Sequence, residues 1–269
     1  MRMIASVLMA FALLLSTATR ASEDKKKVLM ILSNGAAMGD TMARNNLWEY
    51  AEPHHVFVMH GYTVDFVSPK GGKVPFSLDA DETDPPGMVS YTIKYEGFRE
   101  KSDRTSTPEQ IDADEYVAVF IGGGAGSLFD ASKDQRILSI VASIYERGGI
   151  VGACGHGPGS LGDVKLANGD YLVKGKRMTG FPNSSEQNSK WTRGGTLLPF
   201  RVEDRLRARG ALFLTKADLA DKHEPVIDRR IVTTMFLPSS AIVAQEMVNL
   251  LEQRHASAGD DTSATQGLH

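Results

Sequence analysis

Three apolar runs, 28–32, Tyr116–Ile121 and Ile150–Cys154, constrain the chain more than anything else in it; none carries a charge, and each runs into small or turn-forming residues. Strands of a half-exposed sheet alternate apolar and polar residues. An unbroken run suits a strand buried on both faces, as in a parallel sheet covered by helices. Between these runs the pattern reads as helix. Helices are expected over 42–59, 133–147, 200–209 and 239–254, and further strands over 62–67, 177–180 and Ile231–Thr234. Ser68, Pro69, Gly71 and Gly72 close the second strand, and Gly148 and Gly149 stop the helix at 133–147. Residues 75–107 are polar, carry Pro85, Pro86 and Gly87 and show no clear period, so they read as an excursion over the surface. Alternating strands and helices define an α/β fold: a flavodoxin-like three-layer sandwich, with a mostly parallel sheet, right-handed crossovers and helices on both faces.

The ends read differently. Met1, Arg2 and Met3 precede an apolar run over 4–15 and then small residues to Ala21. A basic start, a short apolar stretch and small residues are the marks of a secretory signal peptide, and the run is too short for a membrane span. Cleavage is expected after Ala18 or Ala21, with export to the periplasm or beyond. Residues 22–254 then form one domain, and 255–269, rich in Ser, Ala, Asp and Thr, form a disordered tail. Export implies an oxidising compartment, yet Cys154 is the one cysteine, so no internal disulfide can form.

A formal net charge of −3, evenly spread, argues against nucleic acid or an anionic membrane as partner and for a small molecule. The run Gly122, Gly123, Gly124, Ala125, Gly126 lacks the spacing of a dinucleotide fingerprint or phosphate loop, so no nucleotide cofactor is expected. His54, His55 and His60 invite a metal reading. The spacing of His55 and His60 puts them on different helix faces, so they read as surface histidines and no metal site is expected.

In sheets of this kind the ligand sits beyond the carboxyl ends of the strands. Three loops fall there, 33–40, 122–127 and 155–160. The last of them has the makings of a nucleophile elbow, a tight strand-to-helix turn that needs small residues two before and two after its apex. Centred on Gly155, the flanks are Ala153 and Gly157; centred on Cys154, they are Gly152 and the bulky His156. Pro158 suits the first turn of the following helix, and glycine tolerates the apex backbone. Gly155 is therefore expected at the apex, with Cys154 as the last strand residue facing the interior. The amides of Gly123, Gly124 and Gly155 are candidates for an oxyanion or ligand site.

At these residues the chain resembles the ThiJ/PfpI superfamily of class I glutamine amidotransferase-like proteins, in its branch of heat-shock chaperones and glutathione-independent glyoxalases. The resemblance rests on the Gly-rich loop at Gly122, the stretch 149–153 leading into His156, Gly157 and Pro158, Thr179, Gly180 and Phe181 with Glu186, and Pro199 and Phe200 with Glu203 and Asp204. It implies that Glu49 hydrogen-bonds the catalytic cysteine and that Glu186 orients His156. Catalytic relatives look like Ala-x-Cys-His-Gly-Pro. Here the place before His156 is Gly155, and the cysteine stands one residue upstream, which in a strand reverses the face of the side chain. Ala125, Ala43 with Arg44, and Leu237 also depart from the pattern. The catalytic candidates are thus Glu49, Cys154, His156 and Glu186. The expectation is an exported protein with a degenerate site that binds a small carbonyl or carboxylate compound without covalent catalysis. The alternatives are a glyoxalase III, deglycase or hydrolase-type enzyme employing Cys154, Glu49 and His156, and a holding chaperone. A homodimer is left open.

Overall fold

The computed structural model describes residues 27–77 and 87–264. The signal peptide expected over 1–21 lies outside them, as do the last residues of the tail, 265–269. Among the described residues no helix is long and apolar enough to cross a membrane.

Six strands form the central sheet in the order Val226–Asp228, Ile231–Thr234, Ile150–Cys154, Tyr116–Ile121, Lys27–Ile31, Thr63–Val67. All neighbours are parallel except the edge pair of Val226–Asp228 with Ile231–Thr234. Strand side chains alternate between faces, so each strand feeds two cores. On one face Leu29, Ile31, Val119, Ile121, Val151 and Ala153 pack beneath the helix Gln135–Glu146. On the other Val28, Met30, Ala118, Phe120, Ile150 and Cys154 pack beneath the helices Trp48–Met59 and Ser240–Ala264. Residues 28–32 have no exposure at all, and each such side chain contributes on the order of 1.5–3 kcal/mol by leaving water. The continuous runs are therefore buried on both faces, and the three-layer α/β sandwich stands as expected.

Departures from the sequence reading are local. The helix expected from 42 begins at Trp48. Before it, Ala36–Met38 and Thr41–Ala43 make a small antiparallel hairpin and Asn45–Asn46 pairs with Phe76–Ser77. Asparagine side chains satisfy neighbouring backbone groups and so compete with helix: Asn45 Nδ2 donates to the Ser33 and Pro75 carbonyls, and Asn46 Oδ1 accepts the Trp48 amide at 3.0 Å. The excursion over 75–107 contains two helices, Gly87–Tyr95 and Phe98–Ser102, which bury Val89, Thr92 and Phe98. The closing helix runs to Ala264, so the tail without structure expected from His255 is helical over that stretch. His54 is a further correction: it is fully buried among Phe66 and Phe98, its Nδ1 lies 3.2 Å from Glu96, and burial lowers its pKa to about 4. His55 shares Glu96 at 2.5 Å, while His60 faces Glu252. Among the described residues no group of three or more His, Cys, Asp or Glu is placed to hold a metal ion.

Candidate active site

Past the carboxyl ends of the strands lies a cavity of about 460 Å³, lined among others by Asn46, Glu49, Gly124, Ala125, Gly155 and His156. Gly155 is the apex of the turn. Its φ is +56°, its amide donates to the Thr234 carbonyl at 3.2 Å, and its carbonyl accepts the Phe181 amide at 2.7 Å. The chain then enters the short 3-10 helix Gly157–Leu161, with Pro158 in its first turn. The register deduced from the small flanking residues is the one observed.

Glu49 stands in the first turn of the helix Trp48–Met59 and is only 4 % exposed. Asn46 Oδ1 receives the Glu49 amide at 3.4 Å, and the Asn46 amide in turn donates to the Gly123 carbonyl at 3.1 Å, which ties the Gly-rich loop to the start of the helix. The Glu49 carboxylate is inserted between Gly123 and Gly155. A Cβ at either glycine would collide with its oxygens. The two glycines thus make room for a carboxylate on the cavity wall, at the place where a side chain on the apex would begin.

Cys154 is elsewhere. It is fully buried, pairs in register with Thr234 and is absent from the cavity lining. Burial pushes its thiol pKa well above the usual range, and Glu49, as a nearby charge and as a hydrogen-bond acceptor for the thiol, pushes it further. A reactive cysteine needs the opposite environment, one that favours thiolate. The upstream shift of one residue therefore places the sulfur behind Glu49, in the layer between sheet and helices, and leaves the cavity to the carboxylate.

The other half of the site is a relay. His156 Nε2 donates to Glu186 Oε2 at 2.8 Å; Glu186 Oε1 accepts the Thr192 hydroxyl, and Thr192 Oγ1 accepts the Gly195 amide at 3.1 Å. Burial raises the Glu186 pKa, but the hydrogen bond and charge of His156, together with Thr192, outweigh it and hold the carboxyl below its ordinary value. The imidazole stacks on Phe181 at 4.5 Å between centroids and meets the edge of Trp191 at 5.5 Å. With Nε2 engaged, Nδ1 is the ring nitrogen left for the cavity. The amides of Gly124 and His156 have no hydrogen-bond acceptor among the described residues, and both residues line the cavity.

The structure brings together Glu49, His156, Glu186, Gly123, Gly124 and Gly155, and sets Cys154 behind them; of the three amides expected to hold a ligand, that of Gly155 is spent on the Thr234 carbonyl and Gly123 is absent from the cavity lining, which leaves Gly124. Thr192, Asn46 and Trp191 escaped the sequence reading. Trp191 had a usable signal, since the chain holds two tryptophans and this one is 48 % exposed beside the histidine; Thr192 had none.

Known proteins agree with this architecture. The model of the DJ-1/PfpI family matches residues 26–195, and the chain belongs to that family. Within it the similarity lies with the glutathione-independent glyoxalase branch. The chain is 30 % identical over 241 residues to the glutathione-independent glyoxalase HSP31 of Saccharomyces cerevisiae, covering 84 % of this chain and 98 % of that protein. It is 27 % identical to Glyoxalase 3 of Candida albicans, covering 76 % of this chain and 88 % of that one. The Rapid Encystment Protein 24 kDa of Francisella tularensis superposes with a TM-score of 0.74 at 26 % identity, over 84 % of this chain and 99 % of that one. The glyoxalase III of Candida albicans shares the fold with a TM-score of 0.72 at 24 % identity, over 84 % and 98 %.

Proposed function

We propose that the protein is a glyoxalase-type enzyme that converts a small 2-oxoaldehyde to the corresponding 2-hydroxy acid by acid-base catalysis on the substrate hydrate, with Glu49 as the base and no thiol adduct. The observation that carries this reading is the Glu49 carboxylate held between Gly123 and Gly155 on the cavity wall, with Cys154 buried behind it. A 2-oxoaldehyde in water carries its aldehyde largely as a geminal diol, so the oxygen needed for the acid product is already on C1. Glu49 takes the C1 proton, and the electron pair forms the C1–C2 double bond of an enediolate. Its developing oxyanion faces the amides of Gly124 and His156, the kind of fixed dipole that stabilises such charge. Return of the proton to C2 and transfer of a hydroxyl proton from C1 to the C2 oxygen, through His156, complete the isomerisation. C1 is oxidised and C2 reduced within one molecule, so no external oxidant or reductant is required. Glu186 and Thr192 fix the imidazole for that shuttle. The likeness to glutathione-independent glyoxalases supports the substrate class.

A second reading has one observation in its favour: the apex carries Gly155, so a site that needs a thiol there would bind small carbonyl compounds without turning them over. Methylglyoxal supplied to the purified protein in deuterated water separates the two. The enzyme reading expects lactate to accumulate, with solvent deuterium at C2 because the carboxyl proton exchanges. Binding by calorimetry with no lactate would establish the second reading instead.

A further inference from the structure

We infer that the preferred substrate carries a carboxylate, and that Arg44 is the residue that holds it. The inference rests on the glyoxalase reading for the reaction but not for the binding. Arg44 follows the small hairpin and lines the cavity together with Glu49 and His156. Its backbone is fixed: its carbonyl accepts the Gly126 amide at 3.1 Å, and the next residue, Asn45, donates its amide to the Pro75 carbonyl at 3.2 Å and accepts the Ser33 amide at 2.8 Å on its side chain. The backbone that carries this exposed arginine is therefore a fixed part of the wall.

Of the cations nearby, two are engaged. Arg193 is bound by Asp40 at 3.0 Å and Lys73 lies 3.5 Å from Asp103, whereas Arg44 forms no ion pair among the described residues. Arg44 and Ser77 are also shared with an open groove that continues from the cavity and presents Lys73 and Arg99. Cations along a groove that ends in a cavity raise the local concentration of anions, and a guanidinium at its inner end offers a carboxylate a bidentate partner. A neutral three-carbon oxoaldehyde uses none of this. It also fills only part of the space, roughly 150 Å³ on the scale of about 30 Å³ per heavy atom in liquid water, against about 460 Å³. A molecule with its reacting carbonyl at Glu49 and a carboxylate at Arg44 would engage both of these lining residues.

The test compares 4,5-dioxopentanoate, an oxoaldehyde with a terminal carboxylate, against methylglyoxal, in the wild type, Arg44→Ala and Arg44→Lys. Binding is measured separately by titration with 4-oxopentanoate, which has the carboxylate and a ketone but no aldehyde to turn over. Loss of a charged hydrogen-bond partner corresponds to about a 10- to 100-fold effect. We expect kcat/KM to favour 4,5-dioxopentanoate by a factor in that range, the preference to collapse in Arg44→Ala and to survive in part in Arg44→Lys, and 4-oxopentanoate affinity to fall in parallel and weaken with salt. Binding that depends on Arg44 with no turnover of either aldehyde would sustain this inference and refute the glyoxalase reading. Turnover of both aldehydes at similar kcat/KM, or 4-oxopentanoate binding that is undetectable or unchanged in Arg44→Ala, would overturn it.

Discussion

Glu49 and Glu186 are both almost inaccessible, 4 % and 1 % exposed, and both belong to the site, yet their surroundings assign them opposite tasks. Both oxygens of Glu186 are engaged: His156 and Thr192 each donate to one of them, and those donors keep it ionised. Glu49 is set between two glycines on the cavity wall, its oxygens filling the place where a side chain at Gly123 or Gly155 would begin, and it also accepts the Cys154 thiol. A carboxylate whose lone pairs are committed to fixed donors can orient a neighbour; one that borders a cavity can accept a proton from a substrate. The contrast teaches that two buried carboxylates of one site are set to different tasks by the groups packed around them.

The strongest way to break the contrast is to fill that place. Gly155→Ala puts a Cβ against Glu49 at a φ of +56°. The backbone strain alone costs about 1–3 kcal/mol, and a chain of this size loses about 2–4 °C of Tm per kcal/mol. Turnover of 2-oxoaldehydes should fall by about 100-fold or more as the carboxylate is displaced. Calorimetric melting and initial rates read both effects, and an active variant of wild-type stability would show that Glu49 has no need of the glycine.

Glu186→Gln should have a smaller effect, a fall in kcat of about 10- to 100-fold from a misdirected imidazole with KM little changed. Its stability signature has a definite sign. Because the folded pKa of Glu186 lies below the ordinary carboxylate value, its contribution to stability is present above the unfolded pKa, about 4.3, and is lost as pH falls through the folded value. Urea unfolding should find the wild type more stable than Glu186→Gln at neutral pH, with the gap closing below about pH 4. A gap independent of pH would mean that the carboxylate is not ionised by its partners.

The smallest effect expected concerns Cys154. Its raised pKa and full burial predict slow alkylation by iodoacetamide at pH 8, with the rate of an ordinary thiol appearing only in urea. Fast labelling of the native protein would place the sulfur in the cavity.

Much of this was legible in the sequence because the signals were local. Charge-free runs reported burial on both faces, and the small residues around Gly155 fixed the register of the turn. The segment before Glu49 was misread because Met42 and Ala43 look helical in isolation, while Asn45 and Asn46 are held by Ser33, Pro75 and Gly123, far away in the chain. The same long-range placement hid Thr192 and Arg44: nothing in the neighbours of a threonine or an arginine says that it will meet a carboxylate or line a cavity. The burial of His54 was missed because its partner, Glu96, comes from the segment 75–107, which reads as surface.

The central claim, that Glu49 rather than Cys154 carries the chemistry, is tested most directly by following methylglyoxal conversion to lactate in the wild type, Cys154→Ala and Glu49→Gln at equal folded concentration. Removal of a general base costs about 10²- to 10⁴-fold, so Glu49→Gln should lose activity by that factor while Cys154→Ala remains within about twofold of the wild type. Loss of activity in Cys154→Ala, with a thiol adduct of the substrate detectable by mass spectrometry in the wild type, would contradict the account.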